Sequence, residues 1–313
     1  MMRIEADYLK EEERDGFQIV SMMKRAWATE LLVLSEIDRI CEKYAISYQA
    51  NYGTLLGAVR HQGFIPWDDD IDISMKREDF MKFVNLASHE LPDPMRLQCI
   101  ETKQDHFGAV AAVVNRSTAD VGIGKDTQYT EMYYNCPYVV GVDIYPLDYI
   151  PRDPDEAGLQ RVLYESVYDA AYRFDELKET GALPVILQEL SRLTGEPLPE
   201  DKQLRQRLWQ LSERIAMLYS EEESDDLIWM PDRIFQYEID LRRSKKWYEK
   251  TERVPFEMTT IPIPCGYHEI LTLIYGDYME PVQGYAAHDY PFYAKQEEAR
   301  QEYFMRKNEQ GIS

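Results

Sequence analysis

Four aspartates fall within five positions, Asp68, Asp69, Asp70 and Asp72, inside the run GTLLGAVRHQGFIPWDDDIDISM at 53–75. Acidic runs are ordinarily solvated faces. This one follows Ile65-Pro66-Trp67 and is bracketed by residues that favour burial. In IDISM (71–75), Ile71, Ile73 and Met75 alternate with Asp72 and Ser74, so the segment reads as a strand. Asp70 and Asp72 then leave the same face, with alpha carbons roughly 6.5–7 Å apart. That spacing lets both carboxylates converge on one hard divalent cation. Mg2+ takes oxygen ligands and commonly combines one or two carboxylates with substrate phosphates. Asp143 is the candidate third acid, because in YVVGVDIYPLD (138–148) it alternates against Val140, Val142 and Ile144.

Phosphoryl transfer is chemistry that suits such a cluster, because it needs positioning and charge neutralisation more than covalent help. Upstream, Gly53-Thr54 stands at a strand-to-helix junction, where backbone N–H groups can face a phosphate. Arg60 and His61 follow in the same short helix, and an arginine there can hold a phosphate through two parallel bonds. Two other readings stay open at this point. One is an acidic surface turn. The other is a calcium loop, with Asp68, Asp70, Asp72, Ser74, Lys76 and Asp79 at positions 1, 3, 5, 7, 9 and 12. Against the loop, Ile73 stands where glycine is needed, and Asp79 replaces the longer bidentate Glu. The sequence has no GxxxxGK[ST], GxGxxG, GxSxG or HExxH pattern.

The acids need elements to position them. Val20, Met23, Trp27, Leu31, Leu34, Ile37, Cys41 and Tyr44 recur at helical spacing and predict a helix over 18–44. Strands are predicted at 46–53, 71–75, 96–101, 107–115 and 138–148, the last ended by Pro146. A helix is expected at 78–91 and a short one from Leu55 to Gln62. From 155 to 222 the pattern is mostly helical, interrupted around LTGEPLPEDK. SEEESDD (220–226) reads as an acidic loop, 254–282 as a strand or turn followed by a short helix, and the last twenty or so residues as a frayed charged helix. The fold class is therefore α/β (α+β), with a largely helical C-terminal half. The chain divides into an N-terminal segment 1–17, a core 18–150, a helical region 151–225, a return to the core at 226–290 and a tail 291–313.

The 313 residues carry a formal net charge of −22 with 44% hydrophobic content. That charge repels phosphate backbones and argues against nucleic-acid binding. An anionic substrate then needs a metal ion or a local basic cluster to receive it. The four cysteines, Cys41, Cys99, Cys136 and Cys265, have no CxxC spacing and read as reduced, buried thiols. The acidic N-terminus lacks an apolar signal core, and no run approaches the length of a membrane span. A soluble, cytoplasmic protein is expected.

YGTLLGAVRHQGFIPWDDDIDISMKREDFMKF strongly resembles the LicD family, whose relatives include the fukutin-type glycan phosphotransferases. VGVDIYPLD resembles the family's second block, and PFEMTTIPIPCGYHEILTLIYGDYMEPV its third. The resemblance runs from about residue 20 to 290. It implies a nucleotidyltransferase-like mixed sheet with flanking helices. It also implies transfer of a phospho-alcohol, phosphocholine or a polyol phosphate, from a CDP-linked donor to a sugar hydroxyl of a glycan or glycolipid acceptor, with CMP leaving. Carried onto this sequence, Asp70 and Asp72 hold Mg2+ or Mn2+. Asp143 is a third ligand or the base. Gly53, Thr54 and Arg60 contact the donor phosphates. Asp68 is a flanking carboxylate or a turn residue. Trp67 either stacks on a base or packs as core, and Arg116 is placed for a substrate contact. The family's cell-surface decorators act at the cytoplasmic side, which implies peripheral association with the inner face of the membrane. A nucleotidyltransferase acting on a small molecule would use the same carboxylates.

Overall fold

In the computed structural model the described residues are 3–100, 108–120, 126–235, 239–282 and 290–309. After a small hairpin, β1 (Glu12–Arg14) and β2 (Phe17–Ile19), the predicted apolar stripe forms α1 (Ser21–Tyr44). Met23, Trp27, Leu31 and Ile37 are fully buried along it. The helix stops at Ala45, whose φ of 52° is left-handed and whose N–H closes back on Cys41 and Glu42. Next come β3 (Gln49–Ala50), α2 (Tyr52–Arg60), β4 (Ile71–Lys76), α3 (Arg77–Glu90), β5 (Arg96–Gln98), β6 (Ala111–Val114), α4 (Asp126–Met132) and β7 (Gly141–Pro151).

The five core strands lie in the order β3-β4-β7-β6-β5. Only β4 and β7 are parallel; the other pairs in this run are antiparallel. The sheet is thus mixed, with helices against it, as expected. Residues 101 and 107, at the ends of two predicted strands, lie outside the described residues.

The second half is largely helical: α5 (Pro154–Tyr172), α6 (Phe174–Glu179), α7 (Leu183–Thr194) and α8 (Leu204–Ala216). Tyr164, Leu187, Leu208 and Trp209 form a separate apolar cluster among them. The chain then returns to the core as β8 (Ser224–Ile228), α9 (Asp232–Phe235), β9 (Arg243–Ser244), the hairpin β10 (Thr251–Phe256) and β11 (Thr259–Pro264), α10 (Tyr267–Tyr275) and α11 (Ala294–Glu309).

Four expectations need correction. Pro146 does not end β7: it sits between the last residue paired with β6, Ile144, and the first paired with β8, Asp148, where only β4 lies alongside and a missing N–H is tolerated. The end of SEEESDD is strand, because Ser224–Ile228 pairs with the far half of β7. The C-terminal helix is docked rather than frayed. Gln296 bonds both the N–H and the carbonyl of Val139, and Arg300 donates to the carbonyl of Asp120. Cys265 is exposed, whereas the other three cysteines are buried; all four are free thiols. Among the described residues, no helix is long and apolar enough to cross a membrane.

The helical cluster is tied to the sheet by a buried charge triad. Arg77 Nε and Nη2 donate to Asp148 of β7 at 2.6 and 2.8 Å, and Nη1 donates to Glu213 of α8 at 2.7 Å. Removing the cation leaves two carboxylates in low dielectric. Arg77→Ala is expected to cost about 3–5 kcal/mol of stability in urea unfolding. A loss under about 1 kcal/mol would show that water reaches the triad.

Candidate active site

The parallel pairing of β4 with β7 sets Asp72 directly opposite Asp143. Neighbouring strands run about 4.8 Å apart, so these side chains leave adjacent backbones at one level. Asp70 stands just before β4. Upstream, the Asp68 N–H closes a turn on Ile65, and the Asp68 carbonyl accepts from Trp27 Nε1 at 3.2 Å. Trp27 itself stacks on Phe64 with centroids 4.5 Å apart. The longest helix of the core thus anchors the acidic segment.

The first turn of α2 closes the other side. Gly53 lets the two approach closely: a Cβ there would lie 2.4 Å from Asp68 Oδ2 and push that carboxylate aside. The Thr54 hydroxyl accepts from the Asp72 N–H at 2.8 Å, and the Asn51 N–H donates to the Asp72 carbonyl at 3.0 Å. The backbone of Asp72 in β4 and the start of α2 are therefore fixed against each other.

These elements enclose a cavity of about 640 Å3. Asp68, Asp70, Asp72, Asp143, Asp277 and Glu280 line it, together with Tyr52, Trp67, Tyr145, Trp229, Tyr275 and Tyr278. Arg60 is the basic lining residue. The three predicted acids share one pocket. Burial, then the charges of Asp70, Asp143 and Asp68, push the Asp72 carboxyl well above the usual carboxylate range. Burial, then Asp70 and Asp69, do the same to Asp68. Glu30 of α1, fully buried, is raised by burial and by Asp70 and Asp69.

This donor set fits a hard divalent cation. Every candidate ligand atom is a carboxylate oxygen, and Asp72 Oδ1 is buried with no hydrogen-bond partner among the described residues. Among the described residues, the group of three carboxylates that come within 4.8 Å of one another is Asp68, Asp69 and Asp70, rather than the predicted trio. Asp69 Oδ2 accepts from the Phe292 N–H at 2.6 Å and the residue does not line the cavity. Of the acids on the 68–72 segment and β7, those that line the cavity are therefore Asp68, Asp70, Asp72 and Asp143, with Asp277 and Glu280 further around it. Asp69 and Asp72 are buried, which removes the surface-turn reading. Residues 71–76 are strand and 77–90 helix, which leaves no twelve-residue calcium loop.

Of the other predicted residues, Gly53, Arg60 and Trp67 line the cavity, while Thr54, His61 and Arg116 do not. Thr54 is buried against the backbone of β4. Arg60 Nη1 donates to the carbonyls of Tyr278 at 2.7 Å and Glu280 at 3.3 Å, so it also secures the segment after α10. His61 faces Asp15, and its ring meets Trp67 edge-on. Arg116 is a correction: it is buried over the Tyr133 ring and donates to Thr130 Oγ1 and the Cys136 carbonyl. A cation that follows a strand resembles a substrate contact in sequence, but here it fills a polar gap in the interior.

The sequence reading did not place Tyr52, Tyr145, Trp229, Tyr275 or Asp277 at the site, although all five line the cavity. Tyr145 had a signal, because it lies two residues beyond Asp143 on the same face of β7. Trp229 had none.

Residues 45–131 match the family model described as LicD/FKTN/FKRP, nucleotidyltransferase domain. That stretch is similar to a LicD-family domain. The lipopolysaccharide cholinephosphotransferase LicD of Haemophilus influenzae is 26% identical over 262 residues, 80% of this chain and 88% of that protein. Two uncharacterized rickettsial proteins match over shorter stretches. That of Rickettsia typhi is 47% identical over 51 residues, 16% of each chain, and that of Rickettsia prowazekii 49% over 47 residues, 15% of this chain and 18% of its own. The LicD-domain match includes Asp68, Asp70 and Asp72 and ends before Asp143.

The raised Asp72 carboxyl has a sign that can be tested. Its folded value lies above the unfolded value of about 3.9, so the ionised group destabilises the metal-free protein once pH rises past that value. In EDTA, Asp72→Asn is expected to be more stable than the native chain at pH 7, with the gap closing towards pH 4. Thermal unfolding across that range measures it. Equal stability of the two at pH 7 would contradict the electrostatic account.

Proposed function

We propose that this protein is a metal-dependent phosphotransferase. It moves a phospho-alcohol, phosphocholine or a polyol phosphate, from a CDP-linked donor to a sugar hydroxyl of a cell-surface glycan precursor. The observation that carries the reading is the convergence of Asp70, Asp72 and Asp143 on one cavity beside the first turn of α2. The family match and the printed activity of the Haemophilus influenzae relative support the chemistry.

Asp70, Asp72 and Asp143 would hold Mg2+ or Mn2+, with Asp68 beside them. When bound, such an ion neutralises charge on the donor diphosphate. Gly53 brings the backbone of α2 close to the acids, and the N-terminal end of that helix carries partial positive charge towards a phosphate. Arg60 adds the cationic side chain of the cavity wall, and Trp67 an apolar surface for the base. Asp143 completes the ligand set or takes the proton of the attacking hydroxyl. The acceptor is a glycan or glycolipid, reached from the cytoplasmic face of the membrane by peripheral association.

A second reading follows from the description of the matched domain: transfer of a nucleotide to a small molecule. Product analysis separates the two. With CDP-choline or CDP-ribitol, Mg2+ and a lipopolysaccharide-derived acceptor, the first reading expects CMP and a phospho-alcohol-bearing glycan. A nucleotidylated product would replace it with the second. Asp72→Asn should lower the rate more than about a hundredfold. Asp143→Asn read at rising Mn2+ divides its roles: recovery marks a ligand, and a loss that metal does not restore marks a base.

A further inference from the structure

The cavity contains more aromatic surface than phosphate chemistry requires. Tyr52, Tyr145 and Trp229 come from α2, β7 and the segment after β8. Their rings meet in sequence at near right angles: Tyr52 to Tyr145 at 5.1 Å and 75°, Tyr145 to Trp229 at 5.0 Å and 83°. All three line the cavity. Successive perpendicular rings make adjoining sides of a box.

Two of their three polar atoms are already engaged. The Tyr52 hydroxyl donates to Asp232 at 2.7 Å, and Trp229 Nε1 donates to the Ala109 carbonyl at 3.1 Å. The Tyr145 hydroxyl lies near the carboxylates of Asp72 and Asp143. What the box offers an incoming group is therefore mainly ring surface. A polyol chain would have to give up water there for carbon. A quaternary ammonium group has no hydrogen-bond donors to satisfy and is attracted by aromatic faces. The carboxylates of Asp72, Asp143, Asp277 and Glu280 around the same cavity favour positive charge further.

Position agrees with this chemistry. Tyr145 lies two residues beyond Asp143 on the same face of β7, roughly 6.5–7 Å further along the strand. A phosphate held at the acids, linked by a two-carbon bridge to an ammonium, reaches about that far.

The geometry points to Tyr52, Tyr145 and Trp229 as a box that takes the quaternary ammonium head of a choline-type donor, and so selects it over polyol donors. This assignment rests on the CDP-linked donor proposed above. One face of Tyr52 is already occupied, because Arg243 lies 5.2 Å from its centroid. Tyr145 and Trp229 therefore carry most of the attraction.

The test is calorimetric binding to the full chain with Mg2+ and no acceptor. The probes are CDP-choline, its uncharged carbon isostere CDP-3,3-dimethylbutanol, CDP-ribitol and CMP. The expected result is CDP-choline bound about tenfold tighter than the isostere and than CDP-ribitol. Trp229→Leu should bring that ratio to within about threefold while CMP binds as before, and Trp229→Phe should recover part of it. Unaltered CMP binding shows that the variants are folded. CMP binding without a preference for CDP-choline, or a preference that Trp229→Leu leaves intact, overturns the box and leaves the phosphotransferase reading standing. Absence of binding by every cytidine compound overturns both.

Discussion

The structure is organised around a repulsion. Parallel pairing of β4 and β7 forces the carboxylates of Asp72 and Asp143 to leave neighbouring backbones at one level. Two like charges about 5 Å apart at an effective dielectric of 20 repel by about 3 kcal/mol. No local preference of the chain would choose that arrangement. It persists because register pairs from Ile71 to Lys76 fix β4 along β7, and the apolar side chains of both strands are fully buried. Thr54 and Asn51 then lock α2 to the backbone of Asp72, and Trp27 holds the carbonyl of Asp68. Stability that the acids remove is supplied by the core beneath them, which is how binding sites commonly store unfavourable electrostatics.

Elements whose signal is local and periodic were legible in the sequence. The stripe of α1 and the alternation in β4 state their own geometry, and both appear where expected. Elements selected by a distant partner were not. Ser224–Ile228 looks like the end of an acidic loop, yet Ser224 and Leu227 are completely buried and only the second half of β7 gives them a strand to pair with. The helix at 294–309 is charged throughout, so it reads as frayed. Its anchors are polar, Gln296, Glu297 and Arg300, and an amphipathic pattern does not reveal them.

The same division runs through the candidate site. The faces of Asp72 and Asp143 could be placed from alternation alone, because each strand fixes which face its acids take, whereas Asp70 lines the cavity from just before β4. The aromatic wall could not. Tyr52 and Trp229 stand far apart in the chain, and Trp229 reaches Tyr145 only because β8, which it follows, pairs with β7 from Asp148 onward. Arg116 failed for the opposite reason. Its type suited a phosphate, but its neighbours Thr130 and Cys136 are inaccessible to local reading, and they draw it into the interior.

Charge sets the order in which such a cavity is filled. Among the described residues six carboxylates line it against the single guanidinium of Arg60, in a chain whose net charge is −22. A diphosphate approaching those groups alone meets net repulsion, whatever shape the cavity offers. Under the proposed reading a divalent cation reverses the local sign where Asp70, Asp72 and Asp143 converge, so the donor binds the metal-loaded site far better than the bare one. Linkage makes this reciprocal: the donor must tighten the metal by the same factor. The raised Asp68 and Asp72 carboxyls add protons to the balance, because a proton on either group competes with the metal. Metal, donor and proton thus act on one cluster of oxygens, and the occupancy of each is set by the others rather than by an affinity of its own.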